Sequence, residues 1–119
     1  MQRIMLRSKI HRATVTEANL AYEGSLSVDR DLLDAADILP HERIQFANLA
    51  NGARAETYAI PGKRASREVC LNGAAARLGE VGDDVIVMAF ALVDDAELKK
   101  PWRPTIVRVD ADNRPVKTP

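Results

Sequence analysis

Apolar and polar residues alternate through much of the chain, with the period of about two that is typical of β-strands. In the segment RIMLRSKIHRATVT, the apolar residues Ile4, Leu6 and Ile10 are interleaved with polar ones. The later segment PTIVRVD is rich in β-branched residues, which favour strands. The longest apolar run, VIVMAFALV, is far shorter than the ~20 residues of a membrane span. We therefore predict three strands here and expect the apolar run to be buried on both faces.

Two further strand-like segments, ERIQFANLA and ARAETYAI, are joined by the dipeptide Asn51-Gly52. Asn-Gly readily adopts the two positive φ angles that a type I′ turn requires. The pattern therefore predicts a β-hairpin with a type I′ turn at these two residues.

Helical patterns are few and short. In DRDLLDAADILP, Asp29 is placed to cap a first turn, Asp31 complements the positive end of the helix dipole, and Pro40 is expected to end the element. NGAAARLG and DDAELKK predict two more short helices. The sequence thus favours a mainly β fold, a small barrel with short helical connections.

Composition limits the size of the protein and its partners. With 119 residues and 46% hydrophobic content, the chain has room for one domain, residues 1–119, whose polar end from about 111 to 119 is expected to be a frayed tail. Seventeen basic and seventeen acidic residues cancel, which argues against nucleic acid or an anionic membrane as partner. The amino-terminal stretch lacks the uninterrupted apolar region of a signal peptide, so a cytoplasmic location is expected.

The chain lacks the common sequence motifs of catalytic and metal sites. One cysteine, Cys70, forms no internal disulfide, and two histidines are too few for a zinc site, so no metal is expected. The remaining candidates are polar residues suited to binding carboxylates. Lys9 and His11 are two residues apart, and Arg54 and Tyr58 are four apart, so each pair shares one face of a strand. Each pair could line a pocket, although each residue taken alone also fits an ordinary solvated or packing role.

In their order, several motifs resemble one known family. The chain contains SKIHRATVTEANLAYEGS, then NGARAETYAIPGKRASR, LNGAAARLGEVGDDVIV and finally PWRP. This combination, from Met1 to about Arg108, resembles the pyruvoyl-dependent aspartate 1-decarboxylases. The resemblance implies a double-psi β-barrel and a homotetramer with active sites near the subunit interfaces.

The resemblance also implies a reaction and a cofactor. The Gly24-Ser25 bond would be cleaved by the chain itself, giving a β chain of residues 1–24 and an α chain of residues 25–119, with Ser25 converted into a covalent pyruvoyl group. L-aspartate would bind as a Schiff base and be decarboxylated to β-alanine and CO2. The product would supply pantothenate and coenzyme A synthesis, and a maturation factor could assist the cleavage.

The family's functional residues match positions of this chain. The resemblance implies that Tyr58 is the proton donor, a role that a phenol can fill because it is protonated at neutral pH. Lys9 and Arg54 would supply positive charge to the dianionic substrate. The remaining matches are the substrate-binding positions Thr57, Gly73, Ala74 and Ala75, and the residues that would orient the pocket or assist processing, His11, Tyr22 and Asn72.

Three other functions stay open from the sequence alone. The chain could be a catalytically silent barrel that acts as a binding module and remains uncleaved. It could be a pyruvoyl-dependent decarboxylase of another amino acid. A serine hydrolase that uses Ser25 and His11 is the third possibility, although the chain has no nucleophile-elbow motif.

Overall fold

Eight strands form one mixed sheet in the computed structural model, which describes residues 1–116. The strands run β2-β6-β3-β5-β4-β7-β1-β8 across the sheet. Their bounds are β1 Gln2–Thr14, β2 Glu17–Asn19, β3 Ser25–Asp29, β4 Arg43–Asn48, β5 Arg54–Gly62, β6 Val69–Asn72, β7 Asp84–Asp94 and β8 Thr105–Arg108.

The sheet curls around a single apolar core. Residues from both ends of the strand order, including Leu71 of β6 and Val107 of β8, belong to one buried cluster with Phe46 and Val87 from the middle. A flat sheet of eight strands could not bring these side chains together. The prediction of a small, mainly β barrel with short helical connections is therefore confirmed. Parallel pairs such as β1 with β8 and β3 with β5 need crossover connections, which are compatible with the expected double-psi path.

The helical connections are short. Helix α1, Arg30–Ala35, begins as predicted, because the Asp29 side chain accepts a hydrogen bond of 2.8 Å from the Asp31 backbone N–H. It ends at Ala35, well before Pro40. Asp37 takes a φ of +54°, which is incompatible with a right-handed helix, so the helix cannot continue through it. The other two predicted helices are 3₁₀ helices, Gly73–Leu78 and Asp95–Lys99. No helix within residues 1–116 has both the length and the apolar character needed to cross a bilayer.

The β4–β5 hairpin is confirmed, but its predicted turn type is wrong. Gly52 has a φ of +74°, whereas Asn51 does not have the positive φ that a type I′ turn requires. The strands instead close through residues 49–52, with the Asn48 backbone N–H donating to the Ala53 carbonyl at 2.8 Å. The reason lies in the Asn51 side chain, which accepts from the Ala53 N–H and thereby fixes a longer loop.

Strand β7 is also correctly predicted, but it is not buried on both faces. Val85, Val87 and Ala89 are buried, whereas the side chains between them on the outer face reach solvent. Phe90 is 37% exposed and Leu92 is 66% exposed. Within the described residues, no element covers this outer face, so the apolar run is buried on only one side of the sheet.

The carboxyl-terminal segment differs from the expected frayed tail as far as Val116. Asn113 is buried, with its Oδ1 accepting from the Thr14 N–H at 2.7 Å and its Nδ2 donating to the carbonyls of Thr14 and Arg67. The Val116 N–H donates to the Arg108 carbonyl. These contacts hold the segment against β1, and the rest of the predicted tail, 117–119, lies outside the described residues.

Candidate active site

The backbone is strained at the Gly24-Ser25 junction, where β3 begins. Ser25 has a φ of +92°, a region that residues with a Cβ rarely occupy and that costs about 1–3 kcal/mol. Its side chain is buried, and within residues 1–116 its Oγ has no hydrogen-bond partner. A nucleophilic hydroxyl therefore lies, unpaired and shielded from water, beside the carbonyl of Gly24.

Core packing between β3 and β6 fixes the position of Ser25. Leu26 of β3 pairs with Leu71 of β6, and both side chains are fully buried. This register places Ser25 opposite Asn72 in the antiparallel ladder. A slip of one residue would move the buried leucines out of the core, so apolar packing enforces the polar pair.

Asn72 is a second buried polar residue with incomplete hydrogen bonding. Its Nδ2 donates to Ser27 Oγ at 2.9 Å. Its Oδ1 is buried and has no partner in the described part of the chain. Ser27 lies on the same face of β3 as Ser25, because the two residues are two positions apart. Sequence reasoning missed Ser27, although this spacing could have indicated that it lies near the site.

Tyr58 reaches the junction from β5. Its hydroxyl donates to the Gly24 carbonyl at 3.4 Å, and its ring stacks on His41 with centroids 6.2 Å apart. A Cβ at Gly24 would lie 3.5 Å from the Tyr58 hydroxyl, which is an ordinary van der Waals contact. The phenol is thus in contact with the bond that the sequence analysis predicts to be cleaved.

A cavity of about 270 Å³ surrounds these groups. Beyond Ser25, it is formed mainly by β5 and by the 3₁₀ helix Gly73–Leu78. The predicted site residues that line it are Gly24, Ser25, Thr57, Tyr58, Asn72, Ala74 and Ala75. The structure therefore brings together the predicted residues from three separate parts of the sequence.

Two predicted residues support the junction from outside the cavity. Gly73 has a φ of +60°, and a Cβ at this position would lie 3.2 Å from both Gly24 Cα and the Tyr22 carbonyl oxygen. The 3₁₀ helix can pack this closely under the junction only because Gly73 lacks a side chain. Tyr22 contributes its backbone to this contact, and its own side chain is largely exposed.

Arg54 lies in a neighbouring depression of about 190 Å³, which shares Ala55 and Glu56 with the cavity. Arg54 and Tyr58 occupy one face of β5, as their spacing predicts, but they line adjoining hollows. Sequence reasoning missed Glu56, which lies between them. Hydrogen bonds from Arg43 and then Gln45 lower the pKa of the Glu56 carboxyl and hold it ionised.

Lys9 and His11 do not line the cavity within a single chain. Both lie on β1, which is separated from β5 in the sheet by β7 and β4. Burial lowers the pKa of His11, and the neighbouring positive charges, first that of Lys9, lower it further. No Ser25-His11 pair forms within the described chain, so a serine hydrolase receives no support from this geometry.

The fold and the cavity define a small β-barrel protein whose site is built around a strained, buried serine. A family model described as aspartate decarboxylase matches residues 1–116, and the chain belongs to this family.

Similar proteins from several bacteria carry the name aspartate 1-decarboxylase. The protein of Desulfitobacterium hafniense strain DCB-2 is 58% identical over 98% of this chain and 91% of its own length. That of Thermoanaerobacter pseudethanolicus is 53% identical over 98% of both chains. That of Burkholderia pseudomallei is 55% identical over 96% of this chain and 89% of its own length.

Proposed function

We propose that the chain cleaves itself between Gly24 and Ser25 and then decarboxylates L-aspartate to β-alanine and CO2. The observation that carries this proposal is the strained backbone of Ser25 combined with its buried hydroxyl, which has no partner within residues 1–116. Family membership supports the reaction and its place in the supply of β-alanine for pantothenate and coenzyme A. A biosynthetic reaction of this kind is consistent with the cytoplasmic location proposed from the sequence.

The first step is an intramolecular acyl shift at the junction. Ser25 Oγ attacks the Gly24 carbonyl carbon, the C–O bond forms, the C–N bond breaks, and the hydroxyl proton moves to the nitrogen. The resulting ester no longer has to hold the backbone conformation that costs free energy at Ser25. The Tyr58 hydroxyl, which already donates to the Gly24 oxygen, polarises the carbonyl that is attacked.

Elimination completes the cleavage. Loss of the Cα proton of residue 25 releases Gly24 as a carboxylate and leaves a dehydroalanine. Addition of water and loss of ammonia then convert this residue to a pyruvoyl group. Every atom that is needed comes from the chain and from water, so the proposal requires no external cofactor.

The surroundings of residue 25 fit a pyruvoyl group. The position is buried, and Asn72, whose buried Oδ1 has no partner within residues 1–116, lines the same cavity. Asn72 and Thr57 would hold the group together with the backbone around Ala74. When formed, it supplies an electrophilic carbonyl that accepts the electron pair released with CO2.

In the proposed reaction, Tyr58 returns the proton. Its hydroxyl lies at the Gly24 carbonyl, one residue from the reacting position, and lines the same cavity. A phenol donor protonates the carbon from which the carboxylate has left.

The substrate's two carboxylates need cationic partners, and one chain supplies only some of them near the cavity. Arg54 is exposed in the adjoining depression, whereas Lys9 and His11 lie elsewhere. We propose a homotetramer in which a neighbouring copy completes the site. The outer face of β1 and β7 supports such an assembly, because Ile4 pairs with Leu92 there and both are largely exposed.

Denatured mass, measured before and after warm incubation, tests the proposed function. We expect the 13.1 kDa chain to be replaced by a small fragment that ends at Gly24 and a large fragment that is blocked at its amino terminus. The large fragment should react with a hydrazine, and the protein should release β-alanine from L-aspartate. A cleaved protein that acts on another amino acid would contradict the substrate, and a chain that stays intact would favour a silent barrel or one that awaits a maturation factor.

Light scattering in solution tests the assembly separately. For the cleaved protein, we expect the mass of four protomers, each made of one β chain and one α chain. An active monomer would contradict the proposal that a neighbouring copy completes the site.

A further inference from the structure

Ser27 is the polar residue that controls the amide of Asn72. On one face of the β3–β6 ladder, Ser25 pairs with Asn72 and Ser27 pairs with Cys70. The Ser27 hydroxyl reaches diagonally across this face to accept the Asn72 Nδ2 hydrogen bond at 2.9 Å. The opposite face of β3 holds Leu26 and Val28, which are fully buried and keep the ladder in register.

This contact decides which end of the amide remains free. An asparagine amide has a donor end and an acceptor end, and Ser27 occupies the donor end. The acceptor, Asn72 Oδ1, is buried and has no partner in residues 1–116. The hydroxyl of Ser25, the register partner of Asn72, is also buried and unpartnered. A free acceptor therefore lies opposite a free donor, and in antiparallel pairs the facing Cβ atoms are about 4.5–5.5 Å apart.

We propose that Ser27 is a positioning residue for self-cleavage, which acts by holding Asn72 Oδ1 ready to accept a hydrogen bond from the attacking Ser25 hydroxyl. This inference rests on the cleavage set out above. As Ser25 Oγ bonds to the Gly24 carbonyl carbon, the hydrogen bond to Asn72 Oδ1 guides the hydroxyl, and the proton passes to the departing nitrogen of residue 25. Ser27 contacts none of the reacting atoms.

The rate of cleavage tests the role of Ser27. Precursor of the wild type, Ser27→Ala and Ser27→Thr is purified in the cold and warmed, and the intact chain is followed by mass. We expect Ser27→Ala to cleave about tenfold more slowly, since it loses one orienting hydrogen bond, and Ser27→Thr to stay near the wild-type rate.

Ser8→Ala is the matched control. Ser8 is also a buried strand serine, but it lies on β1 and its hydroxyl has no partner in the described residues. This variant should cleave at the wild-type rate. Thermal unfolding of all variants separates loss of fold from loss of positioning.

Three outcomes would overturn the inference. Ser27→Ala could cleave as fast as the wild type, Ser27→Thr could be slowed equally, or Ser8→Ala could be slowed to the same extent with the same loss of thermal stability. In each of these cases the wild-type chain still cleaves, so the proposed function survives. A wild-type chain that never cleaves would instead overturn the proposed function and this inference together.

Discussion

Two buried asparagines serve opposite purposes in this molecule. Asn113, near the carboxyl terminus, uses both ends of its amide, with three hydrogen bonds to the backbone of Thr14 and Arg67. Asn72, beside the cleavage junction, has a partner for its nitrogen but none within residues 1–116 for its oxygen. Both side chains are nearly inaccessible to solvent, at 3% and 4% exposed respectively.

The difference separates stability from chemistry. A buried amide with all its hydrogen bonds made ties distant segments together and stabilises the fold. A buried amide left incomplete costs free energy, and such sites persist where their unpaired atoms have work to do. The same contrast holds for the backbone. Asn113 takes its φ of +57° in a region that asparagine tolerates, whereas Ser25 at +92° is strained.

The largest effect is expected for Ser25→Ala. The variant removes the attacking hydroxyl, so cleavage and decarboxylation should both be abolished. The fold should be retained, because the lost Oγ has no partner in the described chain. Denatured mass, an assay for β-alanine and thermal unfolding measure the three quantities. An active, cleaved Ser25→Ala protein would show that the junction at Ser25 and Asn72 is not the site of the chemistry.

Tyr58→Phe separates the two reactions at the junction. The hydrogen bond from Tyr58 to Gly24 is long, at 3.4 Å, so its loss should slow cleavage only modestly. Decarboxylation should fall by ~10²–10⁴, because the variant loses its proton donor. Turnover per cleaved chain checks this expectation, with His41→Phe as a control that keeps a ring stacked on Tyr58. Normal turnover in Tyr58→Phe would remove the residue from the mechanism.

Asn113→Ala tests the stabilising role of the buried amide that has all its hydrogen bonds. Three backbone groups lose their partner, so the free energy of unfolding should fall by about 2–4 kcal/mol. The rate of cleavage at residue 25 should stay unchanged, because Asn113 does not line the cavity. Asp112→Ala, an exposed change in the same turn, controls for general effects of the segment. Slower cleavage in Asn113→Ala at a temperature where it is fully folded would contradict the separation of the two regions.

The sequence predicts local features of this fold better than distant ones. The Asp29 cap and the position of strand β7 depend on neighbouring residues, and both were predicted correctly, although β7 is buried on only one face. The turn at Asn51 was not, since its side chain also donates to the Leu78 carbonyl, far along the chain. The contacts of Asn113 with Thr14 likewise join opposite ends of the sequence, and composition alone suggested a frayed tail.

The candidate site divides in the same way. The resemblance to a family supplied Gly24, Ser25 and Tyr58, which the structure brings together in one cavity. The strain at Ser25 could not be read from the sequence, because no local pattern requires a positive φ there, and the strand that faces Ser25 in the structure is the distant β6. The distance of Lys9 from this cavity could not be read either, since shared strand faces say nothing about which sheet position a strand occupies.

The smallest expected effect concerns His11, which tests whether every buried polar atom without a partner marks the site of the chemistry. Its buried Nδ1 also lacks a partner in the described chain, but His11 lies outside the cavity. The folded chain lowers the pKa of His11 below the ordinary value of 6.5, first through burial and then through the charges of Lys9, Arg108 and Arg12. Between the lowered pKa and 6.5, the unfolded chain binds more protons, so stability should rise with pH and be lost as the pH falls below about 6.5.

His11→Gln should flatten this part of the stability curve, measured as the free energy of unfolding between about pH 5 and pH 8, with His41→Gln as the control. The pKa values of the Asp34, Glu56 and Asp83 carboxyls are also lowered, but their contribution to stability changes mainly below about pH 5, outside the measured range. Superimposable curves for the wild type and His11→Gln would contradict the lowered pKa of His11 in the folded chain. In that case the incomplete hydrogen bonding at Asn72 would be the better guide to chemistry, because it lies inside a cavity that one chain builds by itself.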